Sequence, residues 1–296
     1  MVSFLSNGNS SYNGFSAQVT RRFSTGLMLS SAYTWSHLID DTTAEVFSTV
    51  LSPRRVEDFQ NLRHERADSA LDRRQRFVTS GIYDLPFFTK SSNWAARSLL
   101  GGFTVSGTLT FESGERAGIR SGVDSNQNGD NAGDRSIINL SGTPGTATTV
   151  RAIGRNGATI PFTLSDGSAN PALANTVAYV ANDPNAQYVQ AQVWAKSTSG
   201  RNTLRMPGIN NLDFSIFKNF AIVEKVKMQV RADLFNAFNH AQFVPGSVNG
   251  VEATAQTSAA VTNLITIANN NTLFNRPDRV FSSHPRVIQL ALRLNF

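Results

Sequence analysis

Asp124, Asn126, Asn128, Gly129 and Asp130, in the stretch DSNQNGDNAGD, place oxygen-bearing side chains at alternate positions around a glycine. That spacing opens an oxygen-ligand calcium loop, in which carboxylate and amide oxygens wrap one hard cation and glycine makes the sharp turn. A helix-loop-helix calcium site then needs glutamate at the twelfth position. Arg135 stands there instead, and the acid Asp134 comes one place early. No helical pattern flanks the loop. The functional reading is calcium held by Asp124, Asn126, Asn128, Asp130 and Asp134; the alternative is a surface loop rich in Asx turns.

A second set, RHERADSALDRRQRF, gathers Arg63, Arg66, Arg73, Arg74 and Arg76. Guanidinium forks match phosphate, so contact with lipopolysaccharide phosphates is one reading. Pairing with Glu65, Asp68 and Asp72 in a solvated loop is the other, and the favoured one. The histidines His37, His64, His240 and His284 lie far apart, at spacings that suit neither a metal site nor a triad. No G-x-S-x-G, H-E-x-x-H or P-loop pattern occurs. No residue is therefore expected to be catalytic, and the chain is not expected to be an enzyme. With no cysteine there is no thiolate metal site or disulfide framework. The net charge of +6 suggests nucleic acid, but the arginines are scattered rather than gathered in a stripe, so none is expected.

The elements that carry these residues are strands. In RVIQLALRLNF, Ile288, Leu290, Leu292, Leu294 and Phe296 fall on one face, and Gln289, Ala291, Arg293 and Asn295 on the other. The same alternation sets Phe103, Val105, Gly107, Leu109 and Phe111 against Thr104, Ser106, Thr108, Thr110 and Glu112. It recurs from Leu27 to Trp35, from Asn211 to Phe220 and from Val226 to Leu234. GFSAQVTRRF and RFVTSGIYDLPF are further candidates, the latter with unclear facing. Seven strands of about 10 to 13 residues result, against about 5 to 6 in ordinary globular proteins. Tilted strands of about 9 to 11 residues are what a bilayer requires.

Composition agrees. Charged residues are 16% and hydrophobic residues 40%, with Ser, Thr, Asn and Gly making up the difference. No apolar run approaches the length of a membrane-spanning helix. Connections alternate strictly: STG at 24–26 and AIVE at 221–224 are tight and 87–100 is modest, whereas 39–75, 114–209 and 239–285 are long and polar. Transmembrane β-barrels show this asymmetry, with short periplasmic turns and long outer loops. Phe23, Phe103, Phe220 and Phe296 then sit at periplasmic strand ends, and Tyr33, Trp35 and Phe111 at outer ends, as two interfacial girdles. Lys218, a charge on a lipid-facing row, is expected to snorkel to the headgroups. A soluble β-sandwich would show the same alternation and is the alternative fold. The amino end, MVSFLSNGNSSYNG, lacks the basic and apolar regions of a signal peptide.

The segments SYNGFSAQVTRRFSTGLMLSSAYTWSHLIDD, LDRRQRFVTSGIYDLPF, SGRNTLRMPGINNLDFSIFKNF, VRADLFNAFNHAQF and RVIQLALRLNF resemble the carboxyl-terminal barrel of TonB-dependent receptors of the Oar-like type. The resemblance spans nearly the whole chain. It implies that residues 1–296 are the carboxyl-terminal part of one all-β, antiparallel transmembrane β-barrel domain in the bacterial outer membrane. About seven strands of a larger, 22-stranded barrel would be present, with the signal peptide, plug domain and TonB box absent. The implied function is uptake or binding of a large nutrient such as an oligosaccharide, peptide or metal chelate. An outer-membrane barrel enzyme, marked by acids and histidine clustered at strand tips, and a structural or adhesin barrel remain alternatives. The implied partners are outer-membrane lipid, lipopolysaccharide, the TonB system and the barrel-assembly machinery, which reads a terminal aromatic residue, here Phe296. The resemblance also puts the Asp124 motif in an outer loop, where millimolar calcium is available.

Overall fold

Period-two alternation becomes seven long antiparallel strands: β1 (Ser10–Arg22), β2 (Leu27–Asp40), β3 (Gln75–Asp84), β4 (Phe103–Glu112), β5 (Ile209–Val223), β6 (Val226–Phe235) and β7 (Val287–Asn295). They pair in that order, and a short strand at Ala67–Asp68 pairs with the end of β2. The computed structural model describes residues 8–23, 26–41, 56–129, 131, 133–223, 226–243, 264–269 and 271–296. β1 and β7 are the edges of an open sheet. Lengths run from 9 residues in β7 to 15 in β5.

Register settles the face of every strand, because directly paired residues point the same way. Leu212, Phe214 and Ile216 of β5 lie opposite Leu109, Gly107 and Val105 of β4. Asp213 and Ser215 lie opposite Thr108 and Ser106. For β3, Phe77, Thr79 and Tyr83 share the apolar face with Tyr33, Ser31 and Leu27 of β2, while Arg76, Val78 and Ser80 take the polar face. The rings of Phe77 and Phe111 stack at 6.5 Å near one end of that apolar face.

Among the described residues, no second sheet covers the apolar face. Leu290 is 79% exposed and Leu292 is 67% exposed, and the buried apolar cluster contains no residue of the seven strands. A sandwich would bury this face against another sheet. A bilayer is the remaining apolar medium, so the sandwich alternative fails.

The connection between β3 and β4 differs from expectation in holding a helix, α1 (Trp94–Leu100), capped by the Asn93 side chain, which accepts from the Ala95 and Ala96 amides. α1 meets the apolar face at Lys218. This lysine does not reach for headgroups: it is only 5% exposed. Its Nζ donates to the Ser98 carbonyl at 2.6 Å and to the Gly101 carbonyl, and it lies 5.1 and 4.9 Å from the Phe103 and Phe220 ring centroids. A helix end offers unpaired carbonyls that favour a cation. That pairing explains how a charge persists in an otherwise apolar row.

The long connections also depart from the sequence reading. The 114–209 segment, read as one polar loop, contains two small three-stranded sheets, one of 150–154, 159–160 and 176–181, the other of 137–138, 143–148 and 186–189. Arg116–Ala117 pairs with Leu204–Arg205. Ile119, Tyr188, Leu204 and Met206 then pack with Leu264, Ile265, Val280 and Phe281 in a buried core. The described parts of the second and third long connections thus form one folded cap at the end of the sheet opposite α1.

Candidate functional site at the rim and inner wall

The polar face of the sheet forms an open groove lined by Ser30, Ser80, Ser106, Thr108, Asp213, Ser215 and Arg231 among others. Antiparallel register places Asp233 of β6 opposite Ser215 of β5. Arg231 Nε donates to Asp233 Oδ1 and Oδ2 at 2.7 and 2.9 Å, and its Nη2 donates to Ser215 Oγ at 3.2 Å. Ser215 Oγ donates in turn to Asp233. The wall carries charge in compensated pairs and presents hydroxyls beside them. Such a surface suits a hydrated passage more than a packed core.

At the rim, the arginine-rich segment is largely paired. Arg74 Nη2 is 3.1 Å from Asp68 and 3.3 Å from Asp72. Arg73 reaches Glu112 at 3.2 Å and Glu115 at 3.1 Å, and Arg76 reaches Glu112 at 3.4 Å. Arg116 joins Asp68, whose Oδ1 lies 2.8 Å from His37 Nε2. Burial pushes the Asp68 carboxyl up, but the His37 hydrogen bond and the Arg116 and Arg74 charges outweigh it and hold the group below its usual value. The pairing reading therefore holds for Arg73, Arg74 and Arg76, with Glu112 and Glu115 as acids the local sequence did not suggest. Arg63 and Arg66 stay exposed.

Deeper in the cap, Arg135 is fully buried, and its Nη1 donates to both Glu65 oxygens at 2.8 Å. Its Nη2 lies 2.8 Å from Glu57 and 3.0 Å from His64 Nδ1. Glu57, His64 and Glu65 have ligand atoms within 4.8 Å of one another, a grouping that resembles a metal site. The Arg135 guanidinium occupies the cationic role there. Acids and a histidine do meet in this connection, which the scattered histidine spacing hid, and Arg135 pairs with them. Arg201 pairs with Asp40 and donates to the Glu65 carbonyl at 3.0 Å. Burial lowers the Arg201 guanidinium to about 10. None of these partners was legible in the sequence, because each lies far along the chain from the other.

The Asp124 loop adopts part of its expected form. Asp124 Oδ1 accepts from the Asn128 amide at 3.1 Å and Oδ2 from the Gly129 amide at 2.8 Å. Gly129 turns at φ +84°, a backbone angle that side chains disfavour. Asn126 Oδ1 accepts from the Asn128 amide, and its Nδ2 donates to the Glu57 carbonyl at 2.8 Å. Asp130 lies outside the described residues. Asp134 is fully buried behind the loop, with Oδ1 accepting from Ser125 Oγ at 2.9 Å. Burial pushes the Asp134 carboxyl up to about 6; Asp124 and Glu57 add to the rise, against the hydrogen bonds from Ser125 and Asn126. Arg135, at the position where a helix-loop-helix site has its last acid, points away to Glu57 and Glu65.

Phe296 stands one residue past β7 and is 97% exposed from the protein, in the same row as Leu292 and Leu294. Comparison with known proteins adds the family. A family model described as an outer membrane beta barrel domain matches residues 1–289. No curated protein and no solved structure matches the chain.

Proposed function

We infer a function from one premise: the chain belongs to the outer membrane β-barrel domain family, whose place is the bacterial outer membrane. We propose that it serves as the carboxyl-terminal barrel portion of an Oar-like, TonB-dependent receptor that binds or imports a large nutrient, whether oligosaccharide, peptide or metal chelate. The observation that carries this reading is the pairing of a polar, charge-compensated inner wall with a folded cap above it. Capture of a large solute needs a shaped outer surface, and its passage needs a wet interior.

The open sheet supports the same reading. Unpaired strand edges in lipid cost several kcal/mol for each unsatisfied group, so β1 and β7 require further strands. The 22-stranded ring of the receptor family supplies them. Energy coupling would come from the TonB system through a plug, and Phe296 would be the address read by the barrel-assembly machinery. The reading assigns no catalysis and no nucleic acid.

Uptake tests it. Cells carrying or lacking the gene, each with and without TonB, are given a labelled oligosaccharide, oligopeptide and ferric chelate. Accumulation of one of these is expected to need both the gene and TonB. If all three accumulate equally in the four strains, the receptor reading fails.

A further inference from the structure

A buried carboxylate oxygen without a hydrogen bond is the least balanced feature of the cap. Asp134 Oδ2 is buried and takes no hydrogen bond among the described residues. Asp124 and Glu57 bring negative charge close to Asp134. The neighbouring guanidinium that could answer them, Arg135, is engaged with Glu57 and Glu65 at 2.8 Å. Burying an unpaired carboxylate is costly, and structures relieve it with a counter-charge or a metal.

The loop in front of Asp134 carries the oxygens a metal would need. Asp124 is drawn over the turn by the Asn128 and Gly129 amides, and Asn126 Oδ1 points into the same turn. Carboxylate and amide oxygens are ligands for a hard cation, and a set drawn from a pliable loop suits calcium better than magnesium, which demands compact octahedral geometry. The glutamate missing from the twelfth position is then no objection. Asp134, one place earlier, turns in, and Arg135 turns out.

We propose that Asp124, Asn126 and Asp134 form a calcium site in the cap, with the buried Asp134 Oδ2 as the oxygen that the ion completes. Asn126 also donates to the Glu57 carbonyl, so the ion braces the second long connection against the first. This inference does not depend on what the barrel transports.

Trp194 provides a reporter, since its amide donates to the Ser125 carbonyl at 2.8 Å while its side chain is 78% exposed. The protein, extracted folded from outer membranes in detergent and stripped with chelator, is titrated with terbium under tryptophan excitation and with calcium by calorimetry. One calcium site is expected, with a dissociation constant on the order of 0.1 to 1 mM. Calcium should displace the terbium emission, Trp194→Phe should dim that emission while leaving the calcium heat, and magnesium should compete at least about tenfold more weakly. Asp124→Asn and Asp134→Asn should each weaken calcium at least tenfold. Thermal unfolding separates an ion ligand from a structural acid. In chelator Asp134→Asn should melt at or above the wild type, and in calcium below it. No heat at about 10 mM calcium, or an Asp134→Asn variant equally destabilised with and without the ion, would overturn the proposal.

Discussion

Individual side chains on either face of one strand answer to different solvents. Leu292 and Ala291 are neighbours in β7, one in the uncovered apolar row and the other opposite Arg231 on the polar wall. Leu292→Arg should cost about 2 to 4 kcal/mol in a bilayer, and Ala291→Ser almost nothing. Heat-modifiable mobility of membrane fractions on gels reports the folded share, and equal folding of the two variants would reverse the facing. Asp68 gives a pH-dependent case. Its folded carboxyl is held below the unfolded value, so its stabilising contribution is present above the unfolded carboxylate range and lost as pH falls through the folded value. The stability gap between wild type and Asp68→Asn should therefore be full near pH 6 and shrink on acidification from about pH 5 to pH 2. Denaturant titration at stepped pH measures it; a gap that widens in acid would contradict the assignment to His37, Arg116 and Arg74.

At the scale of elements, α1 and β5 are joined by one residue. Lys218 caps the carbonyls of Ser98 and Gly101, and its ammonium rests between the Phe103 and Phe220 rings. Lys218→Met keeps most of the stem but leaves the helix end without its donor. Hydrogen bonds to charged groups contribute about 1.5 to 3 kcal/mol, and α1 has few other ties to the sheet. The helix should detach while β4 and β5 stay paired. Trypsin reports this at Lys90 and Arg97, both exposed and adjoining the helix or within it. Faster cleavage there, with the strands intact, is expected. Unchanged cleavage would mean that α1 is held by contacts other than Lys218.

The molecule as a whole has two bodies held by different forces. The strands form a backbone ladder whose apolar face meets lipid, and the cap has a core built from Ile119, Tyr188, Leu264, Ile265 and Phe281. The first long connection joins that cap mainly through polar links: Arg135 to Glu57 and Glu65, Arg201 to Asp40, and Asn202 Nδ2 to the Asp68 carbonyl at 2.9 Å. Removing one partner of a buried ion pair leaves the other charge uncompensated and costs about 3 to 5 kcal/mol. Arg135→Met should therefore loosen residues 57–72 from the cap while the strand ladder persists. Hydrogen exchange should show protection lost in 57–72 and kept in β2 to β6. Simultaneous loss in both regions would show that the cap and sheet unfold as a unit.

Sequence alone determined what is local and periodic. Seven strands, the faces of six of them, and the alternation of short and long connections follow from a two-residue repeat, because successive strand side chains point to opposite sides wherever the strand lies, whereas the face of β3 came from its register with β2. The Gly129 turn and the Asp124 amide bonds were equally legible, since their partners lie within five residues. Tertiary structure alone decided the rest. Lys218 finds Gly101 from 117 residues away, Arg135 finds Glu65 from 70, and Arg201 finds Asp40 from 161. No spacing rule links such residues, and the polar 114–209 stretch has no sustained period to announce its small sheets. Whether Arg135 faces the Asp124 loop or the glutamates, and whether Lys218 meets headgroups or a helix end, depends on which distant segment lies beside it, because a charge removed from water must take whatever partner the fold brings within reach.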